Sequence, residues 1–270
     1  MSDSTTPDAT MAVFLDLENV ALGAKEAAFE RFSMKLVNER LLLRGHIVVK
    51  KAYCDFDRYK EFKRDLHEEA FELIEIPHVR QSGKNSADIR MVVDALDLCY
   101  TKPHLDTFVI VSGDSDFSPL VSKLRENNKT VIGVGVKKSS SDLFINNCDE
   151  FLYYDDFARR KKQQQRPRVQ KPAAKPQEKP AVNEGPTKEQ AFEQLVSTME
   201  ALTEERGDDP IYASMVKPAL KRLNPGFSER AHGFSSFNEL LKAAKAARLV
   251  DLDTEGKASN NYGVRLVREA

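Results

Sequence analysis

Cysteine is scarce in this chain. Cys54, Cys99 and Cys148 stand far apart and are odd in number, which excludes a disulfide framework and a cysteine–zinc spacing and fits reduced thiols in a cytoplasmic protein. Long apolar runs are also missing. None approaches the ~20 residues needed to cross a bilayer, so no membrane partner is expected. Met1 to Thr10 is polar and has no basic start leading into an apolar core, so it does not read as a secretory signal. His46, His67, His78, His104 and His232 are scattered without ligand spacing. There is no G-x-G-x-x-G fingerprint, no Walker A sequence and no G-x-S-x-G elbow, and Gly133-Val134-Gly135 is too weak to stand for a dinucleotide site. No internal repeat is visible.

What remains is the composition of a soluble globular protein, 41% hydrophobic and 31% charged over 270 residues, long enough for two domains. The net charge of -1 hides an uneven distribution. Lys and Arg against Asp and Glu number 20 to 25 over residues 11–156, 9 to 2 over 157–187, and 12 to 13 over 188–270. The positive charge lies between two mildly acidic parts, a sensible way to attract a polyanion.

Residues 10–156 alternate apolar runs with helical patterns. Strands are expected near 12–16, 47–54, 72–76, 107–112, 130–136 and 150–153, and helices near 25–44, 57–70, 86–100, 117–127 and 140–147. Such alternation implies βαβ units and an α/β fold with a parallel sheet flanked by helices. Residues 157–187 hold Arg159-Arg160-Lys161-Lys162, five prolines and almost no large apolar side chains, which reads as a flexible basic linker. Residues 188–268 read as three helices closed by two short strands, a small winged-helix arrangement.

The chemistry concentrates in four acidic segments. Val13-Phe14-Leu15-Asp16-Leu17-Glu18-Asn19 ends an apolar strand on Asp16. Gly83-Lys84-Asn85-Ser86-Ala87-Asp88 opens a helix that also carries Asp94. Phe108-Val109-Ile110-Val111-Ser112-Gly113-Asp114-Ser115-Asp116 ends another strand on two acids. Buried parallel strands deliver such residues to the carboxyl edge of the sheet, where ligands bind in open α/β folds. Carboxylates gathered there repel one another and resist desolvation unless a hard cation neutralises them. Each acid also has a plain structural reading. Asp16 can cap a helix, Asp116 can cap the helix at Phe117, and Asp88 suits a first helical turn. Asp114 has no such reading. Asp94, six residues beyond Asp88, lies on a different helix face.

In this order the segments strongly resemble NYN domains, which are PIN-like, metal-dependent ribonucleases. The resemblance covers residues 10–156. It implies that Asp16, Asp88, Asp114 and Asp116 gather around one or two Mg²⁺ or Mn²⁺ ions with Asn19 beside them, while Asp94, Ser112 and Lys84 are further candidates. The implied activity is hydrolysis of RNA phosphodiesters, with endonuclease action favoured. The run from Tyr212 to Phe227, continuing through Phe237 to Val250, resembles a LOTUS (OST-HTH) domain. That resemblance implies RNA binding, with Lys217, Lys221, Arg222 and Lys242 as contacts, or docking to a partner protein. Rival readings are a non-catalytic RNA-binding regulator and a protein-interaction adaptor. The oligomeric state is open.

Overall fold

The computed structural model describes residues 8–76, 86–164, 187–253 and 262–267, which fall into an N-terminal and a C-terminal compact unit. The N-terminal unit runs β1 (Ala9–Asp16), α1 (Leu17–Glu26), α2 (Met34–Leu42), β2 (Gly45–Cys54), α3 (Lys63–Glu68), β3 (Glu72–Glu75), α4 (Ser86–Thr101), β4 (Thr107–Val111), α5 (Ser118–Glu126), β5 (Thr130–Gly135), α6 (Asp142–Asn147), β6 (Glu150–Tyr153) and α7 (Tyr154–Gln164). Its six strands form one sheet in the order β3-β2-β1-β4-β5-β6, and every pairing is parallel. The expected α/β class is therefore what the chain adopts.

The side-chain alternation of each strand sorts the core into two layers. Val13 and Leu15 of β1 and Val109 and Val111 of β4 enter one cluster with residues of α1, α2 and α3. Ala12 and Phe14 of β1 and Phe108 and Ile110 of β4 enter another with residues of α4 and α5. Phe14 and Phe108 stack with centroids 6.0 Å apart. Burial on both faces explains why β1 and β4 read as continuous apolar runs rather than alternating ones. The strand order reverses between β1 and β4, because chain growth goes outward through β2 and β3 on one side and through β5 and β6 on the other. The crevice at this switch point opens beyond the carboxyl ends of the two strands, at Asp16 and Ser112.

Two helical expectations are corrected. The helix expected over 25–44 is two helices, the first starting at Leu17 directly after β1. Ala28 takes a left-handed φ of 60° between them. Phe29 and Phe32 pack on Tyr154, whose hydroxyl accepts from the Ser33 N–H and donates to the Arg31 carbonyl. Long-range packing thus pulls residues 27–33 off the helical path. A helix not expected from the sequence, α7, runs from Tyr154 to Gln164. Its first turn holds Asp155 and Asp156, which suit the positive end of a helix. Residues 165–186 lie outside the described residues.

The C-terminal unit comprises α8 (Lys188–Arg206), α9 (Ala213–Leu223), α10 (Phe237–Ala246), β7 (Val250–Asp253) and β8 (Gly263–Leu266). Thr187 and Gln190 form a reciprocal capping box that starts α8. The helices bury Leu195, Met199, Val216, Leu220, Leu240 and Leu241 in one core, to which Val250, Leu252 and Val264 of the antiparallel β7–β8 pair contribute.

Candidate active site

Asp16 closes β1 and caps α1. Its Oδ1 accepts the Asn19 N–H at 3.4 Å, and its Oδ2 accepts the Ser112 hydroxyl at 2.8 Å. The β1–β4 register, with Leu15 beside Val111, brings Asp16 and Ser112 together as the next pair. Asp16 is only 8% exposed. Burial pushes its carboxyl up to about 7, the Ser112 and Asn19 hydrogen bonds oppose that shift, and the charges of Asp88 and Asp114 add to it.

The loop after β4 is tied to α1. Asn19 Oδ1 accepts the Gly113 N–H at 2.8 Å, so the Asn19 amide holds the loop rather than standing free. Gly113 is required there by close approach, because a Cβ would lie 2.5 Å from the Ser139 carbonyl oxygen. Ser112 Oγ also accepts the Asp114 N–H at 3.2 Å. Asp114 in turn caps a 3₁₀ turn, Ser115–Phe117, accepting the Asp116 N–H at 2.9 Å. This reverses the expected capping. Asp114 is the cap, whereas α5 starts without a side-chain cap and Asp116 is exposed.

Asp88, in the first turn of α4, completes the group. Burial raises its carboxyl to about 6, followed by the charges of Asp114, Asp116 and Glu18. Asp16, Asp88, Asp114 and Asp116 therefore share one electrostatic neighbourhood. Glu18 belongs to it as well, and sequence reasoning did not single it out. Its signal was its place in the Asp16–Asn19 motif, where it sits in the first turn of α1. It pairs with Arg58 at 3.8 Å. Cys54, at the end of the neighbouring β2, is pushed up to about 12 by burial and then by Glu18 and Asp16. It therefore stays a thiol at neutral pH, which makes it a poor nucleophile.

Asp94 does not join the cluster. It accepts hydrogen bonds from the Tyr53 hydroxyl at 2.9 Å, Lys51 Nζ at 3.2 Å and Arg90 Nε at 3.0 Å. Burial works against its charge, but the Tyr53 and Lys51 bonds hold its carboxyl below the ordinary value. Lys84 lies outside the described residues. In the C-terminal unit, Lys217 pairs with Glu229 at 3.0 Å and lies over the Phe237 ring. Lys221 and Lys242 are exposed, whereas Arg222 is buried.

Among the described residues, no three His, Cys, Asp or Glu side chains already stand as a coordinating group. The donors are nonetheless all carboxylates, and burial, with neighbouring carboxylates adding to it, holds two of them back from ionising. That chemistry fits a hard cation such as Mg²⁺, which keeps several waters and takes only one or two carboxylates directly.

The NYN domain family matches residues 10–155, more than half of the chain. The chain belongs to that family, and its N-terminal unit is of the PIN-like nuclease type. It is 26% identical over 147 residues to the meiosis regulator and mRNA stability factor 1 of Xenopus tropicalis, a match spanning 54% of this chain and 8% of that protein. It is 37% identical over 62 residues to an uncharacterised protein of Methanocaldococcus jannaschii, spanning 23% of this chain and 25% of the other. The chain thus spans a quarter or less of either relative's length. A crystal structure of a Vibrio parahaemolyticus protein of unknown function aligns with a TM-score of 0.50 and 27% identity, covering 58% of this chain and 98% of that one. Among the described residues no helix is long and apolar enough to cross a membrane.

Proposed function

We propose that this protein is a Mg²⁺- or Mn²⁺-dependent ribonuclease of the cytoplasm, hydrolysing RNA phosphodiesters, with a C-terminal LOTUS-type winged helix that adds RNA affinity. The observation that carries this reading is the convergence of Asp16, Asp88 and Asp114 on the β1–β4 switch point, where the charges of Asp88 and Asp114 add to the raised carboxyl of Asp16, and that of Asp114 to the raised carboxyl of Asp88. Asp16, Asp88 and Asp114 would hold the cation, with Asp116 as a further ligand or a hydrogen-bonding neighbour. When bound, the cation supplies charge neutralisation and Lewis acidity at the phosphodiester. The chain's own residues do the positioning. The Ser112 hydroxyl fixes one oxygen of Asp16, and Asn19 clamps the Gly113 amide so that Asp114 is presented from a rigid turn. The relative named as an mRNA stability factor supports RNA as the substrate.

The helices and hairpin of the C-terminal unit support the winged-helix reading, with Lys221 and Lys242 as the accessible RNA contacts and Lys217 already engaged by Glu229. A second reading is a non-catalytic RNA-binding regulator built on the same fold. Incubation with single-stranded and structured RNA in Mn²⁺ separates the two. The nuclease reading expects cleavage that EDTA abolishes and that Asp16→Asn or Asp114→Asn lowers by more than about a hundredfold. Binding without cleavage over that panel, or cleavage undiminished in both variants, would favour the regulator.

A further inference from the structure

Glu18 adds its charge to those of Asp114 and Asp116 in raising the Asp88 carboxyl, and Arg58 stands against it at 3.8 Å. Arg58 comes from the turn after β2, the strand beside β1 on the side away from β4. Asp16 pairs in register with Tyr53 of β2, so that turn leaves the sheet at the same carboxyl edge. The turn is firmly built. Phe56 is fully buried and donates its N–H to Glu75 Oε1 at 2.9 Å. Asp55 Oδ1 accepts the N–H groups of Asp57 and Arg58 at 3.1 and 3.3 Å.

What this rigid turn presents is a guanidinium with little to hold. A separation of 3.8 Å gives Coulomb attraction but exceeds hydrogen-bond distance. Both side chains are about half open to water, at 51% for Arg58 and 42% for Glu18, and such a pair contributes little stability. Among the described residues the Arg58 guanidinium makes no hydrogen bond, so its N–H donors are unspent. Lys63, farther along the same segment, is matched instead by both Asp57 and Glu75. The charge of the site supplies the missing partner. Asp16, Glu18, Asp88, Asp114 and Asp116 share one neighbourhood, and when ionised they outweigh even two divalent cations. A phosphodiester brought there adds a further negative charge. A polyanion held at this edge therefore needs a fixed positive group, and a planar guanidinium with open donors matches a phosphate's paired oxygens.

We propose that Arg58 is a phosphate contact, holding the RNA phosphate next along the strand from the one at the acid cluster, with Glu18 as its partner when RNA is absent. Neighbouring strands lie about 4.8 Å apart, so a group rising from the end of β2 stands to one side of the β1–β4 crevice. The RNA strand then crosses the carboxyl edge from β4 and β1 toward β2. This rests on the ribonuclease reading.

Binding of a labelled single-stranded RNA to the 270-residue protein, measured over a range of salt with Ca²⁺ and again with EDTA, tests the contact. With Ca²⁺, Arg58→Gln should weaken binding about tenfold and reduce the slope of log affinity against log salt by about 0.7, the share of one single-strand phosphate. Arg58→Lys should keep that slope. With EDTA, wild type and Arg58→Gln should bind alike, because the strand then meets the basic segment and not the acid cluster. Glu18→Gln should bind at least as tightly as wild type, since it removes the competing carboxylate. In Mn²⁺, Arg58→Gln should raise KM and leave kcat within about twofold, as expected for a contact made equally in ground and transition states. An unchanged salt slope in Arg58→Gln, an equal loss of affinity in Glu18→Gln, or a fall in kcat alone would overturn the contact. Cleavage by wild type with no change of slope in Arg58→Gln would sink the contact and keep the nuclease reading. The slope change without any wild-type cleavage would do the reverse.

Discussion

At Asp16 one carboxylate ends a buried strand, caps a helix and receives a serine hydroxyl from the adjacent strand. Those bonds fix its geometry without supplying a countercharge, so burial dominates and its carboxyl rises to about 7 from 3.8. The sign of the consequence is definite. Between those two values the folded protein binds more protons at this site than the unfolded chain does, so the contribution of Asp16 to stability falls as pH rises through that window. Asp88, raised to about 6, pulls the same way. Thermal melts of metal-free protein should therefore lose stability from about pH 4 to pH 7 by this contribution, and Asp16→Asn should flatten the slope. Added Mg²⁺ should raise the melting temperature more at pH 8 than at pH 5, since protonated carboxyls do not bind it. Gly113 sets a second expectation at this scale. Gly113→Ala brings a methyl against the Ser139 backbone and should cost about 1–3 kcal/mol in chemical denaturation, with activity falling as the loop shifts.

The elements show what the sequence made legible and what it hid. Buried strands were readable because β1 and β4 are apolar on both faces, and their last residues placed Asp16 and Ser112 at the sheet edge. The break between α1 and α2 was not readable, since it depends on Tyr154, more than a hundred residues away. Capping after β4 is not readable from the sequence, because the turn is a 3₁₀ turn before the helix, which moves the cap from Asp116 to Asp114. The engagement of Asp94 was also hidden, because Lys51 and Tyr53 come from β2. Glu18 gives only a weak signal beside Asp16 and Asn19, because an acid in the first turn of a helix is ordinary. The capping box of α8 gives an element-scale test. Thr187→Ala should destabilise the C-terminal unit by about 1 kcal/mol in denaturant while leaving cleavage at the acid cluster unchanged.

Over the whole molecule, an acidic N-terminal unit is followed by a strongly basic segment and then by a unit of nearly balanced charge. A tethered basic segment raises the local concentration of a polyanion near the acid cluster. Deleting residues 165–270 should therefore raise KM for RNA with little change in kcat, and the salt dependence of binding should become shallower. Steady-state kinetics at two ionic strengths checks both.

The central claim is that the acids at the β1–β4 edge form a divalent-cation site. Titration of Mn²⁺ into the 270-residue protein at pH 8, followed by the electron paramagnetic resonance of free Mn²⁺, tests it most directly. Saturable binding that is lost in Asp16→Asn and Asp114→Asn but kept in Asp94→Asn is the expected result; binding unchanged in the first two variants, or no binding by wild type, would contradict it.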